Sequence, residues 1–521
     1  MKPFAAFLSC CLTILSLSAA EPPPAESDAG PLAEPILAPN QATVEVQVFA
    51  ATRVPAIPPA LNAADWTKQA ATLRRRVLDE VALRGEARAW AAAPARVEWL
   101  DTIATPHGYQ VRKLRYEAVP GLWLPALLYQ PDRLSGRVPV VLNVNGHEKT
   151  GMATPYIQER CINLAKRGLL ALNPEWLGRG QLLEEKGLDH YRMNQLDLCG
   201  TSGLGVFHLA VRRALDVALG LPNADPERVA VTGLSGGGWQ TIFLGALDER
   251  VKLANPVAGY SSYVTRVQFP SLDLGDSEQT PSDLATVVDY THLTALMAPR
   301  PTLLTYNAKD NCCFRADYAL APLVQAASPV FRLLGAADRL RQHVNHDAGH
   351  NYGRDNREAF YRFLRDHRFT ATADFPLADI PSEAEVRTAD ELRVPLPAGN
   401  QDFNSLARRI AAGLPLPGKP DRARLRAVVH APEYVVVPTE AGSGSAWNAE
   451  VRRWRLRMGL DWTLPAVELT PPGARSTIVF VADAGRAAAA PRVRELLAAG
   501  HRVVAVDPFY FGESKIAGQP G

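Results

Sequence analysis

From Val138 onward the chain alternates short apolar runs with segments of helical spacing, and no other feature limits its possible folds as much. The runs "VPVVLNVNG", "LLALNP", Val229–Thr232, "KLANPVAG" and "PTLLTYNA" read as strands. Between and after them, "YIQERCINLAKRG", "GVFHLAVRRALDVALGL", Trp239–Leu247, about 284–297 and 354–366 read as helices. Strands apolar along their whole length are buried on both faces, and a helix after each one points to βαβ units. The expected core is therefore a mostly parallel, doubly wound sheet.

One junction in this series is unusual. Between the strand ending at Thr232 and the helix starting near Trp239 lies Gly233-Leu-Ser235-Gly-Gly237, a serine ringed by glycine. A bare five-residue match is weak evidence, because serine also caps helices. In a strand-to-helix turn, however, G-x-S-x-G is the pattern of a nucleophile elbow. There the serine sits in a strained conformation, and its neighbours must be small for strand and helix to approach.

Sheets of this kind carry their working residues at the carboxyl ends of strands. "PTLLTYNA" is followed at once by Lys309-Asp310-Asn311, which supplies a carboxylate at such an end. "HVNHDAGHNYG" then supplies His343, His346 and His350 ahead of the last helix. A serine hydroxyl needs an imidazole base, and the imidazole needs a carboxylate to fix its tautomer. The order Ser235, Asp310, His meets that requirement in the arrangement α/β-hydrolases use.

On these residues, and on "GLWLPALLYQP", "VPVVLNVNGHE", "PEWLGRGQ", "DPERVAVTGLSGGG", "LDERVK", "MAPRPTLLTYNAKD" and "GHNYG", residues 109–366 resemble the α/β-hydrolase superfamily. They are most similar to bacterial acetyl xylan esterase-type carboxylesterases. The resemblance implies Ser235 as nucleophile, Asp310 as acid and His350, in the Gly-His turn before the final helix, as base. His343 and His346 are then a surface loop pair. The oxyanion hole would use the backbone N–H of Gly236 and of His147, although Asn145-Gly146-His147 departs from the usual His-Gly-x. Glu175 and Arg179 stand at another strand end, where they line the pocket or form an ion pair. Trp239, one turn past the serine, is a pocket wall or a core residue.

The rest of the chain sets bounds. Its 56 Lys+Arg and 54 Asp+Glu leave a net charge of +2 with no basic stripe, which argues against nucleic acid as partner. "MKPFAAFLSCCLTILSLSAAEPPP" has the layout of a cleaved signal peptide over 1–20. Cys10 and Cys11 lie inside its apolar run, which disfavours a lipoprotein. An exported, soluble mature protein without an integral membrane segment is expected. A Pro/Ala-rich segment, 21–60, precedes a helix at about 63–84 with Ala64, Trp66, Ala70, Leu73, Val77 and Val81 as its buried stripe. "YQVRKLRYEAV" and "LWLPALLYQP" form a hairpin. The mature chain keeps Cys161, Cys199, Cys312 and Cys313, whose pairing the sequence leaves open. No Cys/His spacing suggests zinc; no metal and no cofactor is assigned.

The expected catalytic domain spans 61–366 and a linker 367–400, so a chain ending near 370 should fold and act alone. Residues 401–521 then echo the first half. "VRRWRLRMGLDWTLPAVELTPPGARSTIVFVADAG" follows "VRKLRYEAVPGLWLPALLYQPDRLSGRVPVVLNVNG", and "VRELLAAGHRVVAVDPFYFGES" follows "CINLAKRGLLALNPEWLGRGQ". This reads as an incomplete second α/β-hydrolase-like unit. In the first copy 55 residues separate Gly180 from Ser235, whereas nine follow Gly512, so the second copy holds no elbow.

Three functions compete on this reading. They are a secreted carboxylesterase acting on acylated carbohydrate, a serine peptidase of the prolyl oligopeptidase type, and a non-catalytic scaffold. The stretch before 109 is too short for a propeller, which weighs against the peptidase. An intact triad weighs against the scaffold. Gly rather than Arg after Ser235 disfavours a glucuronoyl-type esterase.

Overall fold

The computed structural model describes residues 29–269, 275–415, 418–419 and 421–516. The expected signal peptide, 1–20, lies outside them. The chain forms two compact units, one of residues 49–421 and one built from 422–516 together with 29–48.

The larger unit holds β1 (Val97–Ala104), β2 (Tyr109–Val119), β3 (Leu122–Pro131), β4 (Val138–Asn143), β5 (Leu170–Pro174), β6 (Ala224–Leu234), β7 (Leu253–Val257), β8 (Thr302–Lys309) and β9 (Leu340–Ala348). They form one sheet in the order β1-β2-β3-β5-β4-β6-β7-β8-β9. Pairing is antiparallel from β1 to β5 and parallel from β5 through β4 to β9. This is the α/β-hydrolase fold.

Alternation along the strands shows why both faces are covered. Val140 and Leu142 of β4 pack with the helices Gly203–Leu219 and Gly236–Leu247, while Val141 joins Cys161, Ile162, Phe360 and Leu364 on the opposite face. Leu304 and Leu303 of β8 divide the same way. Successive side chains of a strand point to opposite faces, so two apolar layers need strands apolar at every position.

The helix expected at 63–84 runs as Ala63–Arg76 and continues in π geometry over Val77–Ala82. Trp66, Ala70, Leu73, Val77 and Val81 are buried, but Ala64 is exposed in the first turn. The stretch 284–297 is two short helices, Leu284–Val287 and Tyr290–Leu296, separated by Asp289, which caps the second. A further helix, Ala316–Leu333, carries Pro322 and Pro329 within it, and those prolines hide it from the sequence pattern. His343 and His346 lie on β9, not on a loop.

The expected linker is a correction. Residues 367–415 run back over the larger unit and complete its core, so the second unit begins near 422 and not at 401. Arg167 donates to the carbonyls of Pro376 (2.8 Å) and Ala378 (2.6 Å), and Asn163 donates to that of Ile380 (3.0 Å). Phe375, Leu392 and Val394 enter one apolar layer, and Phe403 stacks on Phe207 in the other with ring centroids 5.7 Å apart.

The smaller unit contains β10 (Val436–Ala446), β11 (Ala449–Met458), β12 (Trp462–Thr470), β13 (Ser476–Phe480) and β14 (His501–Val506), in the order β10-β11-β12-β14-β13. That is the order β1-β2-β3-β5-β4 repeated, with the same antiparallel and parallel pairings. The repeat extends to hydrogen bonds. Glu175 N–H donates to the Pro125 carbonyl and Asp507 N–H to that of Pro465. Glu175 accepts from Met152 N–H, and Asp507 from Arg486 N–H. The core of this unit includes Leu32 and Ile36, so the expected 21–60 segment supplies part of it.

Candidate active site

Ser235 stands between β6 and the helix Gly236–Leu247 with φ 59° and ψ −123°. A non-glycine residue there carries strain of about 1–3 kcal/mol, which the surroundings must impose. They do so by crowding. A Cβ on Gly237 would lie 2.5 Å from the Val144 carbonyl oxygen, and one on Gly238 would lie 2.7 Å from that of Val257. A Cβ on Gly259 would lie 2.5 Å from Gly238 Cα. The glycines let β4, β6 and β7 close on the turn, and Ser235 N–H donates to the Val257 carbonyl at 3.0 Å.

The loop after β4 lies against the same turn. A Cβ on Gly146 would sit 3.1 Å from Ser235 Cβ and 3.2 Å from Gly236 N. The backbone of Asn145-Gly146-His147 thus flanks the Gly236 amide, as an oxyanion hole made by two chain segments requires. Asn145 is fixed from both sides: its Nδ2 donates to the Pro174 carbonyl (2.9 Å), and its Oδ1 accepts from Asn173 (2.7 Å).

Asp310 and His350 meet at the ends of β8 and β9. His350 Nδ1 is 2.7 Å from Asp310 Oδ2, and the aspartate side chain is wholly buried. Asp310 Oδ1 accepts from the N–H of Cys312 (2.9 Å) and Cys313 (3.3 Å), and His350 N–H donates to Asn311 Oδ1 (3.0 Å). Asn351 anchors the histidine turn, its carbonyl accepting from Asn307 and Asn356. Burial pushes Asp310 toward its neutral form, but its bond to His350 prevails and holds it below the usual carboxylate range. Burial likewise favours neutral His350, yet the Asp310 bond and charge raise it above its ordinary value. With Nδ1 committed to Asp310, His350 Nε2 is buried and has no hydrogen-bond partner among the described residues.

His343 pairs with Asp355 instead (2.7 Å), and His346 is exposed. Trp239 is core, not pocket wall: it is buried, donates to Tyr290 Oη (2.9 Å) and stacks on Phe243. Glu175 is buried too, and it accepts from the N–H groups of Met152, Trp176 and Gln181. Burial raises its carboxyl to about 7, against the pull of those amides. A Cβ on Gly151 or Gly180 would strike this carboxylate, so Glu175 ties two loops together, and among the described residues it forms no ion pair with Arg179. All four cysteines of the described chain are free thiols, with Cys312 and Cys313 Sγ atoms 2.7 Å apart.

Sequence reasoning missed the neighbours of His147. Its ring lies against Gly236, where a Cβ would be 3.2 Å from His147 Cε1. The same ring meets His190 and approaches Asp276 and Glu278. These come from three distant segments, so no local spacing announces them.

A parallel sheet, a strained serine at a strand-to-helix turn and a buried Asp–His pair define an α/β-hydrolase. Residues 95–286 match the family Acetyl xylan esterase (AXE1), and this region is that of a carboxylic ester hydrolase. No curated protein sequence matches the chain. Among solved structures, the chain is similar to Methylesterase BT1017, with a TM-score of 0.53 and 17% identity over 73% of this chain and 82% of that one. It is also similar to a glucuronoyl esterase from Solibacter usitatus (TM-score 0.45, 16% identity, 60% and 98% covered). An acetyl xylan esterase from Paenibacillus sp. R4 has a TM-score of 0.41 and 19% identity, with 62% and 98% covered. The likeness to Methylesterase BT1017 bears on the fold. Among the described residues no helix is long and apolar enough to cross a membrane.

Proposed function

We propose that the protein is an exported serine carboxylesterase that removes short acyl groups, above all acetyl, from polysaccharides such as xylan. Ser235 Oγ attacks the ester carbonyl while His350 Nε2 takes its proton. Asp310 holds the imidazole in the right tautomer and stabilises the imidazolium that forms. The amides of Gly236 and His147 receive the charge that develops on the carbonyl oxygen. His350 returns the proton to the leaving sugar oxygen. Water then attacks the acetyl-serine by the same route and releases acetate.

The observation that carries this reading is the buried His350–Asp310 bond, which leaves Nε2 without a partner among the described residues. The family match over 95–286 supports an acetyl group, and the signal layout at 1–20 supports export. An alkoxide leaves an ester without the full protonation an amide nitrogen demands, so the expected preference is ester over peptide. The test is acetate release from acetylated xylan beside hydrolysis of a peptide anilide. Release of acetate without amide cleavage supports the esterase. Comparable amide cleavage would move the assignment to a peptidase.

A further inference from the structure

We propose that His147, His190 and Glu278 bind one divalent transition-metal ion of the zinc class. The three residues are separated by 43 and 88 positions, yet their donor atoms converge. His147 Nε2 is 3.1 Å from His190 Nδ1 and 3.6 Å from Glu278 Oε1, and His190 Nδ1 is 2.9 Å from Glu278 Oε2. An ion holding three ligands at tetrahedral angles, each about 2.0–2.1 Å away, sets them about 3.3 Å apart. The observed separations bracket that value.

Protons are arranged to match. His190 Nε2 lies 2.7 Å from the Leu177 carbonyl oxygen, which can only accept, so Nε2 carries the ring hydrogen. In the neutral ring Nδ1 is then a lone pair facing the Glu278 carboxylate. His147 Nδ1 faces Asp276 Oδ2 at 3.6 Å, which turns the Nε2 lone pair inward. An outer carboxylate and an outer carbonyl orienting two imidazoles is the usual second layer of a metal site.

Without a cation, a proton must lie between His190 Nδ1 and Glu278 Oε2. That leaves Glu278 Oε1 without a hydrogen-bond partner among the described residues, in a side chain with no solvent exposure, an expensive condition for a buried carboxyl group. A cation among the three donors resolves it. Trp176 and Phe207 meet the His190 ring edge-on at 5.2 and 4.9 Å and give the site an apolar wall. Because the His147 ring lies against Gly236, the ion would fasten the loop that packs beside Ser235.

The test uses the full-length protein, stripped with a chelator and titrated with zinc chloride in a calorimeter. The expected result is one ion per chain with a dissociation constant below about 1 μM, and a melting temperature that rises with zinc. Glu278→Gln and His190→Ala should each weaken binding at least about 100-fold and lose the thermal shift. Should either fail to fold, His147→Ala tests the same site from its partly exposed side. Cobalt in the wild-type protein should give the visible bands of a tetrahedral ion. Absence of stoichiometric zinc in the folded wild type overturns the proposal, as does undiminished binding in the variants.

Discussion

His350 Nδ1 lies 2.7 Å from Asp310 Oδ2, and the aspartate is fully buried while the imidazole retains 13% exposure. The pair sets how activity should depend on pH. A base must be neutral, and His350 is held above its ordinary value of 6.5. The kcat/KM profile should therefore fall as pH drops, with a midpoint above 6.5. Asp310→Asn removes the charge that raises it, so the acid limb should move to lower pH while kcat falls by about 10⁴. An unmoved limb would mean that another group titrates.

The histidines can be separated directly. His350→Ala should lose nearly all turnover, whereas His346→Ala, at an exposed position on β9, should keep turnover within about threefold of wild type. Steady-state hydrolysis of an aryl acetate by both purified variants decides the assignment.

Crowding around the elbow gives a prediction without chemistry in it. Gly237→Ala would place a methyl 2.5 Å from the Val144 carbonyl oxygen, backbone that cannot step aside without moving the Asn145–His147 loop. The variant should lose about 1–3 kcal/mol of stability, together with much of its activity. Thermal melting and turnover measured together check this, and an unperturbed Gly237→Ala would remove the steric account of the turn.

The unit boundary falls near 421. A chain ending near 370 loses Phe375, Leu392, Val394 and Phe403 from the core, and a single buried Phe→Ala change already costs about 3–5 kcal/mol. Residues 49–421 should be soluble and active, and a chain cut at 370 should aggregate. Size-exclusion chromatography of the two fragments distinguishes these outcomes.

What could be read in the sequence was whatever local spacing encodes. The all-apolar strands, the glycines about Ser235 and the order Asp310 then His350 are visible because a buried parallel sheet and a tight turn each demand particular residues in sequence. The duplication was visible as well, down to Gly180 and Gly512, whose absent Cβ atoms make room for Glu175 and Asp507. Other features depend on distant partners. The edge strand β9 is mostly exposed and carries no apolar run, so its histidines looked like loop residues. Residues 367–400 pack through carbonyls and scattered apolar side chains with little regular structure, and they read as a linker. Leu32 and Ile36 are core only because the strands after 436 fold onto them. His147, His190 and Glu278 meet only in three dimensions.

Ser235 as nucleophile is tested by aryl acetate hydrolysis with the wild-type protein and with Ser235→Ala. The variant should keep its circular dichroism spectrum and melting temperature while kcat falls by about 10⁴–10⁶. A folded Ser235→Ala variant that retains most of the wild-type rate would contradict that role.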